Sequence, residues 1–249
     1  MSIREVREAR GFGNARRYCL RMSTDAKIVI APNGPYLVWG TPVELATIEP
    51  NADGASWEWT AGRAVPVGER YALCRCGASA NKPFCDGTHA HNGFDGTETA
   101  SRAPFAEQAK TLAGPGMILE DVEALCASAR FCDVADSIWT SIERVDDPAE
   151  RDLVIHEATH CPSGRLVVRD TATGAPHEPV FAASIGLVED PAKTCSGPLY
   201  VRGGIPVVSA DGSAYEVRNR VALCRCGESK NKPFCDGSHV DIGFSDGLS

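Results

Sequence analysis

The chain has 249 residues, 43% hydrophobic and 23% charged, enough for one large or two to three small domains and unlike a disordered or collagen-like chain. Twenty-five Lys and Arg against 33 Asp and Glu leave a net charge of −8, which argues against non-specific binding to nucleic acid or an anionic membrane. No apolar run approaches the roughly 20 residues of a membrane helix, and the Arg-rich start, interrupted by Glu5, Glu8 and Asp25, lacks the apolar core of a secretory signal. The expectation is a cytoplasmic protein with no membrane partner.

Residues 1–26 read as an N-terminal extension whose Cys19 has no evident chemistry. The eleven cysteines are an odd number in a chain without export features, so metal ligation, redox chemistry or core packing is expected rather than a disulfide scaffold. From Ile28 onward the chain contains one unit twice. Cys-Arg-Cys-Gly-Ala-Ser-Ala-Asn-Lys-Pro-Phe-Cys-Asp-Gly-Thr-His at 74–89 returns at 224–239 with 13 of 16 positions identical. Upstream, Gly34-Pro35-Tyr36-Leu37-Val38 matches Gly197-Pro198-Leu199-Tyr200-Val201, and an Asp-Gly turn at Asp53-Gly54 matches Asp211-Gly212. Alternation around Trp57 and Trp59, and around Tyr215 and Val217, predicts short antiparallel strands. The first copy is eight residues longer between its turn and its first cysteine, and Gly62, Pro66 and Gly68 predict a loop insertion there.

Between the copies, helical patterns are expected over 104–112, over 118–128 and from Asp147. In the last, Asp147 caps, Pro148 takes the first helical position, and Leu153, Val154 and Ala158 form a stripe running to His160. A hairpin is expected from Arg165-Leu166-Val167-Val168-Arg169 and the turn that follows it, making this segment a separate α+β domain.

Each repeat spaces its candidate ligands as C-x-C-x8-C-x3-H: Cys74, Cys76, Cys85, His89 and Cys224, Cys226, Cys235, His239. Three thiolates and an imidazole complete a four-ligand metal set, and this spacing alone suits zinc as well as an iron–sulfur cluster. Asp86 and Gly87 provide an acceptor for backbone N–H groups and a close chain approach.

Both copies match C-x-C-x2-[S/T]-x3-P-x-C-D-G-[S/T]-H at every position and resemble the CDGSH iron–sulfur domain family. The resemblance covers about 27–99 and 180–249. It implies that each four-residue set binds one [2Fe–2S] cluster, that Ser79 and Ser229 hydrogen-bond near it, and that the two units pair under a shared β-rich cap as an intramolecular pseudo-dimer. A Cys₃His set carries one negative charge less than four cysteines, so a moderately raised potential is expected, and histidine protonation would make cluster retention acid-sensitive.

Cys161-Pro162-Ser163-Gly164-Arg165-Leu166, with a C-x5-C upstream, resembles the divergent single-cluster ferredoxin domain. On that likeness Cys126, Cys132 and Cys161 hold a [3Fe–4S] cluster, or a [4Fe–4S] cluster completed by another group, with Ala129 where a fourth ligand would stand. Cys126 and Cys132 lie about 120° apart on a continuous helix and converge only if it gives way to a loop. The alternative makes Cys126 a core residue and Cys161 an inert turn thiol. His156 and His160 are either fourth ligands or exposed helix residues, His91 and His177 read as surface residues, and Cys195 has no counterpart in the first copy.

The expected architecture is α+β: a first CDGSH unit at 27–99, a ferredoxin-like domain at 100–179 and a second CDGSH unit at 180–249. The expected function is one-electron transfer with a redox protein partner. Cluster storage or delivery to an apo-acceptor protein is one alternative, and a zinc-stabilised interaction protein the other. No G-x-G-x-x-G, P-loop, H-E-x-x-H or G-x-S-x-G motif is present, so an enzyme turning over its own substrate is not expected.

Overall fold

A computed structural model describes residues 26–248; Cys19 and the start of the N-terminal extension lie outside them. The first copy forms β1 (Lys27–Ile30), β2 (Tyr36–Trp39), β3 (Val43–Pro50), β4 (Ser56–Val65) and β5 (Arg70–Leu73). The second copy begins after the insert and forms β9 (Ser184–Asp190), β10 (Cys195–Arg202), β11 (Val207–Val208) and β12 (Arg220–Leu223). In order β11-β1-β2-β5 and β12-β10-β9-β3-β4, two sheets are built, each mixing strands of both copies.

The mixing is reciprocal. β3 of the first copy lies parallel to β9 of the second, with Val43 opposite Ile185, and β11 of the second lies parallel to β1 of the first, with Ile28 opposite Val207. Parallel neighbours cannot be joined by a tight turn, so these pairings bring together segments far apart in sequence. Ile28, Ile30, Tyr36, Val38 and Leu73 from one copy share a single core with Ile185, Leu187, Leu199, Val201 and Leu223 from the other. Alternate residues of β1 and β2 enter that core, as period-two patterning requires.

The eight extra residues of the first copy extend a strand rather than forming the loop expected. β4 runs ten residues against β3, with Gly62 inside it and only Pro66–Glu69 outside. The strand expected at Tyr215 and Val217 is reduced to one bridge, Val208 to Ala214.

The insert has its own core of Met117, Leu119, Ile138, Ile142, Val145, Val154, Ala158, Leu166 and Val168. Its first two expected helices are mostly strands. After one helical turn, α1 (Phe105–Gln108), the chain makes an antiparallel sheet of β6 (Lys110–Gly114), β7 (Met117–Asp121) and β8 (Leu166–Asp170). Gly114 pairs with Met117 around Pro115-Gly116, a turn signal that overrides the helix-compatible spacing of the apolar residues. β8 pairs back with β7 instead of with a following strand, and beyond its turn only Arg169 bridges to Pro176.

After α2 (Ile138–Ser141), the third expected helix is present as α3 (Pro148–His160), with the Asp147 carboxylate accepting from Ala149 N at 2.7 Å and Pro148 at the start. A last short helix, α4 (Ser238–Asp241), closes the second copy. No helix among the described residues is long and apolar enough to cross a membrane.

The insert is fastened to both copies. Trp59 Nε1 donates to His160 O at 2.9 Å from the β4 side. From β12, Arg220 donates to the carbonyls of Ala158, Thr159 and Cys161 at 2.9, 2.8 and 2.7 Å and pairs with Glu178 at 2.5 Å. A buried guanidinium thus satisfies carbonyls at the end of α3 and complements its negative pole. Arg220→Met leaves these groups and Glu178 without their partner and is expected to cost about 3–5 kcal/mol in denaturant unfolding; a cost below about 1 kcal/mol would contradict this role.

Glu157, on α3, is fully buried and accepts only the Val134 N–H, at 3.1 Å. Burial pushes its carboxyl up to about 7. The folded chain therefore holds a proton that the unfolded chain has released, and this contribution, complete below the ordinary glutamate range, is lost as pH rises through about 7. Unfolding measurements at pH 6 and pH 8 are expected to show a smaller fall in stability for Glu157→Gln than for the parent; an equal fall would contradict the assignment.

Candidate metal centres

Each motif is folded by lacing its two cysteine segments together. β5 ends beside Cys74, whose N–H donates to Pro83 O at 2.8 Å while Cys85 N–H donates to Ala72 O at 2.9 Å. The second motif repeats this, with Cys224 N–H to Pro233 O and Cys235 N–H to Ala222 O, both at 2.9 Å. The first and third cysteines are thereby fixed on adjacent segments.

Within each motif the donors fall into two pairs. Cys74 Sγ and Cys76 Sγ are 3.8 Å apart, and Cys85 Sγ and His89 Nδ1 are 3.4 Å apart. In the second motif the corresponding separations are 3.7 Å for Cys224 and Cys226 and 3.3 Å for Cys235 and His239. A chain reversal at Gly87, φ +91°, followed by a short helical turn brings the imidazole back to its cysteine. Gly237 and α4 do the same in the second motif.

Asp86 holds this turn through hydrogen bonds from Thr88 N at 3.0 Å and Ala80 N at 2.8 Å, and Asp236 does so through Ser238 N and Lys230 N. The bonds from Thr88, then that from Ala80, hold the Asp86 carboxyl far below its ordinary range. This matches the acceptor role expected of the Asp-Gly pair.

The Ser79 and Ser229 hydroxyls form hydrogen bonds within the ligand loops. The Ser79 hydroxyl donates to Phe84 O at 2.6 Å and accepts from Asn81 N at 3.0 Å, and Ser229 repeats both bonds. A backbone N–H addresses sulfur in the second motif, where Gly237 N–H donates to Cys235 Sγ at 3.5 Å. Ser79→Ala is accordingly expected to lower stability by about 1–3 kcal/mol and leave the visible spectrum of the metal-loaded protein unchanged. A changed spectrum at unchanged stability would put the hydroxyl at the metal instead.

Burial raises the Cys74 and Cys235 thiols above their ordinary value, and holds the buried His239 imidazole down to about 4. At neutral pH the His239 imidazole is therefore a free-base donor, while burial disfavours the Cys74 and Cys235 thiolates and the hydrogen bond with Cys226 holds Cys224 down to about 6. A bound cation resolves that mismatch.

The insert brings its three cysteines to one place. Cys126, Cys132 and Cys161 line a cavity of about 20 Å³ together with Ala127, Ser128, Ala129, Arg130, Phe131, Pro162, Arg165 and Leu166. The helical turn ends at Leu125, so Cys126 and Cys132 sit on a loop, as their convergence requires. Ser128 (φ +55°) and Arg130 (φ +63°) adopt left-handed backbone that non-glycine residues seldom hold, a strain that curls the loop about the cavity. Burial, then the neighbouring Cys161 and Cys126 sulfurs, push the Cys132 thiol up to about 12.

His156 and His160 do not line this cavity, nor are they exposed. His156 Nε2 bonds Trp57 O at 2.8 Å, His160 Nε2 bonds Glu58 at 3.0 Å, and His156 stacks on Trp57 at 3.9 Å, so the pair fastens α3 to β4. His91 is exposed as expected; His177 is half-buried, with Nε2 out of solvent. Cys195 is buried. The residues that sequence reasoning passed over are Arg75 and Arg225, both buried between the first two cysteines of their motifs. An arginine at the same place in both copies was the available signal.

The chain matches the family model of the iron-binding zinc finger CDGSH type over residues 33–90 and 196–240, and that of the divergent 4Fe-4S mono-cluster over 112–171. It is an iron–sulfur protein. More particularly, it carries two CDGSH-type regions flanking a ferredoxin-like cluster domain. No curated protein and no solved structure matches it.

Proposed function

We propose that this chain is a one-electron carrier that holds a [2Fe–2S] centre at each CDGSH motif and a cluster of three or four irons in the insert. The ligands are Cys74, Cys76, Cys85 and His89 for the first centre, and Cys224, Cys226, Cys235 and His239 for the second. Cys126, Cys132 and Cys161 hold the third, with Ala129 contributing no ligand.

The pairing of the donors carries the reading. At metal–sulfur distances near 2.3 Å, two thiolates on one tetrahedral ion stand about 3.8 Å apart, which fits the Cys74–Cys76 and Cys224–Cys226 separations. Each Cys–His pair suits a second ion. A single zinc would gather all four donors about equally, yet among the described residues the one group of three ligand atoms mutually within 4.8 Å is Glu58, His156 and His160. Two ions per motif, each held by one pair, are favoured over one.

The reciprocal strand exchange supports the pseudo-dimer arrangement: each motif leaves a sheet completed by the other copy. We assign the unit boundaries as 27–99, 100–179 and 180–249, in keeping with the separate core of the insert.

When bound, such centres supply one-electron couples, with histidine ligation raising the potential above that of four-cysteine centres. The residues of the chain set potential, solvent access and docking, and substrate turnover belongs to a partner redox protein. The half-burial of Cys85 and His89 favours one second reading, delivery of the first centre to an apo-acceptor.

Potentiometric titration of the anaerobically purified protein is expected to show reversible one-electron steps. His239→Cys should lower one of them and Cys161→Ser should abolish only the signal of the insert. Absence of any reversible step, with clusters instead appearing on an added apo-ferredoxin, would replace electron transfer by cluster delivery.

A further inference from the structure

The two motifs are near copies in sequence but not in surroundings. Cys224, Cys226, Cys235 and His239 are all buried, His239 to 3% exposure, whereas Cys76, Cys85 and His89 are half-exposed. The cover over the second motif comes partly from the insert. Ser128 lies so close to Gly237 that a side chain there would collide with its hydroxyl, Ala127 packs on Cys235, and Arg130 grips Asp190 with two bonds of 2.6 and 3.0 Å. At Gly87, the equivalent of Gly237, open space lies within 4 Å. The chain end adds Phe244 against Cys224 and Cys226.

The buried arginines differ too. Arg225 pairs with two carboxylates, Glu189 at 3.1 Å and Asp246. Arg75 donates only to the carbonyls of Ala31 and Gly96, and its Nε has no partner. Gly96 occupies the place of Asp246, two residues beyond the matching phenylalanine, and the neighbouring Asp95 carboxylate bonds Thr97 instead. The positive charge beside the first motif is thus uncompensated at contact distance, and that beside the second is cancelled.

Reduction adds negative charge to a centre that is already anionic. An unpaired buried guanidinium favours the reduced form, nearby carboxylates oppose it, and water at the exposed site also favours the more charged state. All three effects have the same sign.

We infer that the two CDGSH sites are ranked: the first is the outward-facing site of higher reduction potential, and the second is an enclosed site of lower potential that links it to the insert. An electron from a one-electron donor that reduces a ferric ion at the second site moves downhill to the first, reoxidising the second. It leaves from there to a one-electron acceptor protein docked around His89. The inference rests on both motifs holding two-iron centres.

An EPR-monitored redox titration of the full chain tests it, with His89→Cys marking the signal of the first site. The first site is expected to be half-reduced at the more positive potential, and Glu189→Gln with Asp246→Asn to raise the second site alone and narrow the gap. Equal or inverted potentials in the parent, or an unchanged gap in the double variant, would overturn the ranking.

Should the double variant not fold, iron loss from the parent to EDTA gives an independent reading. The first site should empty at least about tenfold faster than the second, and a single common phase for both would overturn the ranking. A protein without any iron–sulfide chromophore would instead remove the underlying reading.

Discussion

At Gly77 the backbone of one motif touches the carbonyl of Cys226 in the other, and at Gly227 the contact is returned to the carbonyl of Cys76. Both glycines have positive φ, and a methyl group at Gly227 would lie 2.6 Å from the Cys76 oxygen, so neither position has room for a side chain. The ligand loops are therefore held back to back by main chain alone. Tyr36 strengthens the junction by donating from the first copy to Cys224 O at 2.8 Å and Pro233 O at 3.1 Å in the second. The exchanged strands and common core extend outward from this contact, and the two candidate metal sites are positioned by one another.

That constraint explains how a third domain can sit between the copies without prising them apart. The insert brings its own core, and Leu125 of the insert packs against the shared one. It attaches through directional polar contacts, Arg220 on the end of α3, Trp59 on His160 O and Arg130 on Asp190, and through a small apolar seam in which Ala129 and Phe131 pack on Ile48, Val188 and Tyr200. The contacts with Asp190 and Gly237 place the cysteine loop of the insert on the second motif and leave the first open. Two motifs of near-identical sequence thereby have unequal surroundings.

Much of this was legible in the sequence because the ligand pattern is local. C-x-C and C-x3-H each span a few residues, and the Asp147-Pro148 start of α3 is a local signal as well. What escaped was non-local or ambiguous. The spacing over 104–112 and 118–128 reads as helical, and only pairing across Pro115-Gly116 decides for strands. The parallel exchange of β3 and β11 has no turn to announce it. The carboxylate partners of Arg225 lie 36 and 21 residues away in the chain, so its compensation, unlike the arginine itself, leaves no mark in the motif. His156 and His160 carried a metal-ligand spacing but are occupied by Trp57 and Glu58 from the first copy.

The most direct measurement is iron, acid-labile sulfide and zinc per chain on anaerobically purified protein. Two two-iron centres and one further cluster require about seven or eight irons with about as many sulfides and no zinc. Two zincs per chain with no sulfide would contradict the account, because they would put one ion where the donor pairs are arranged for two.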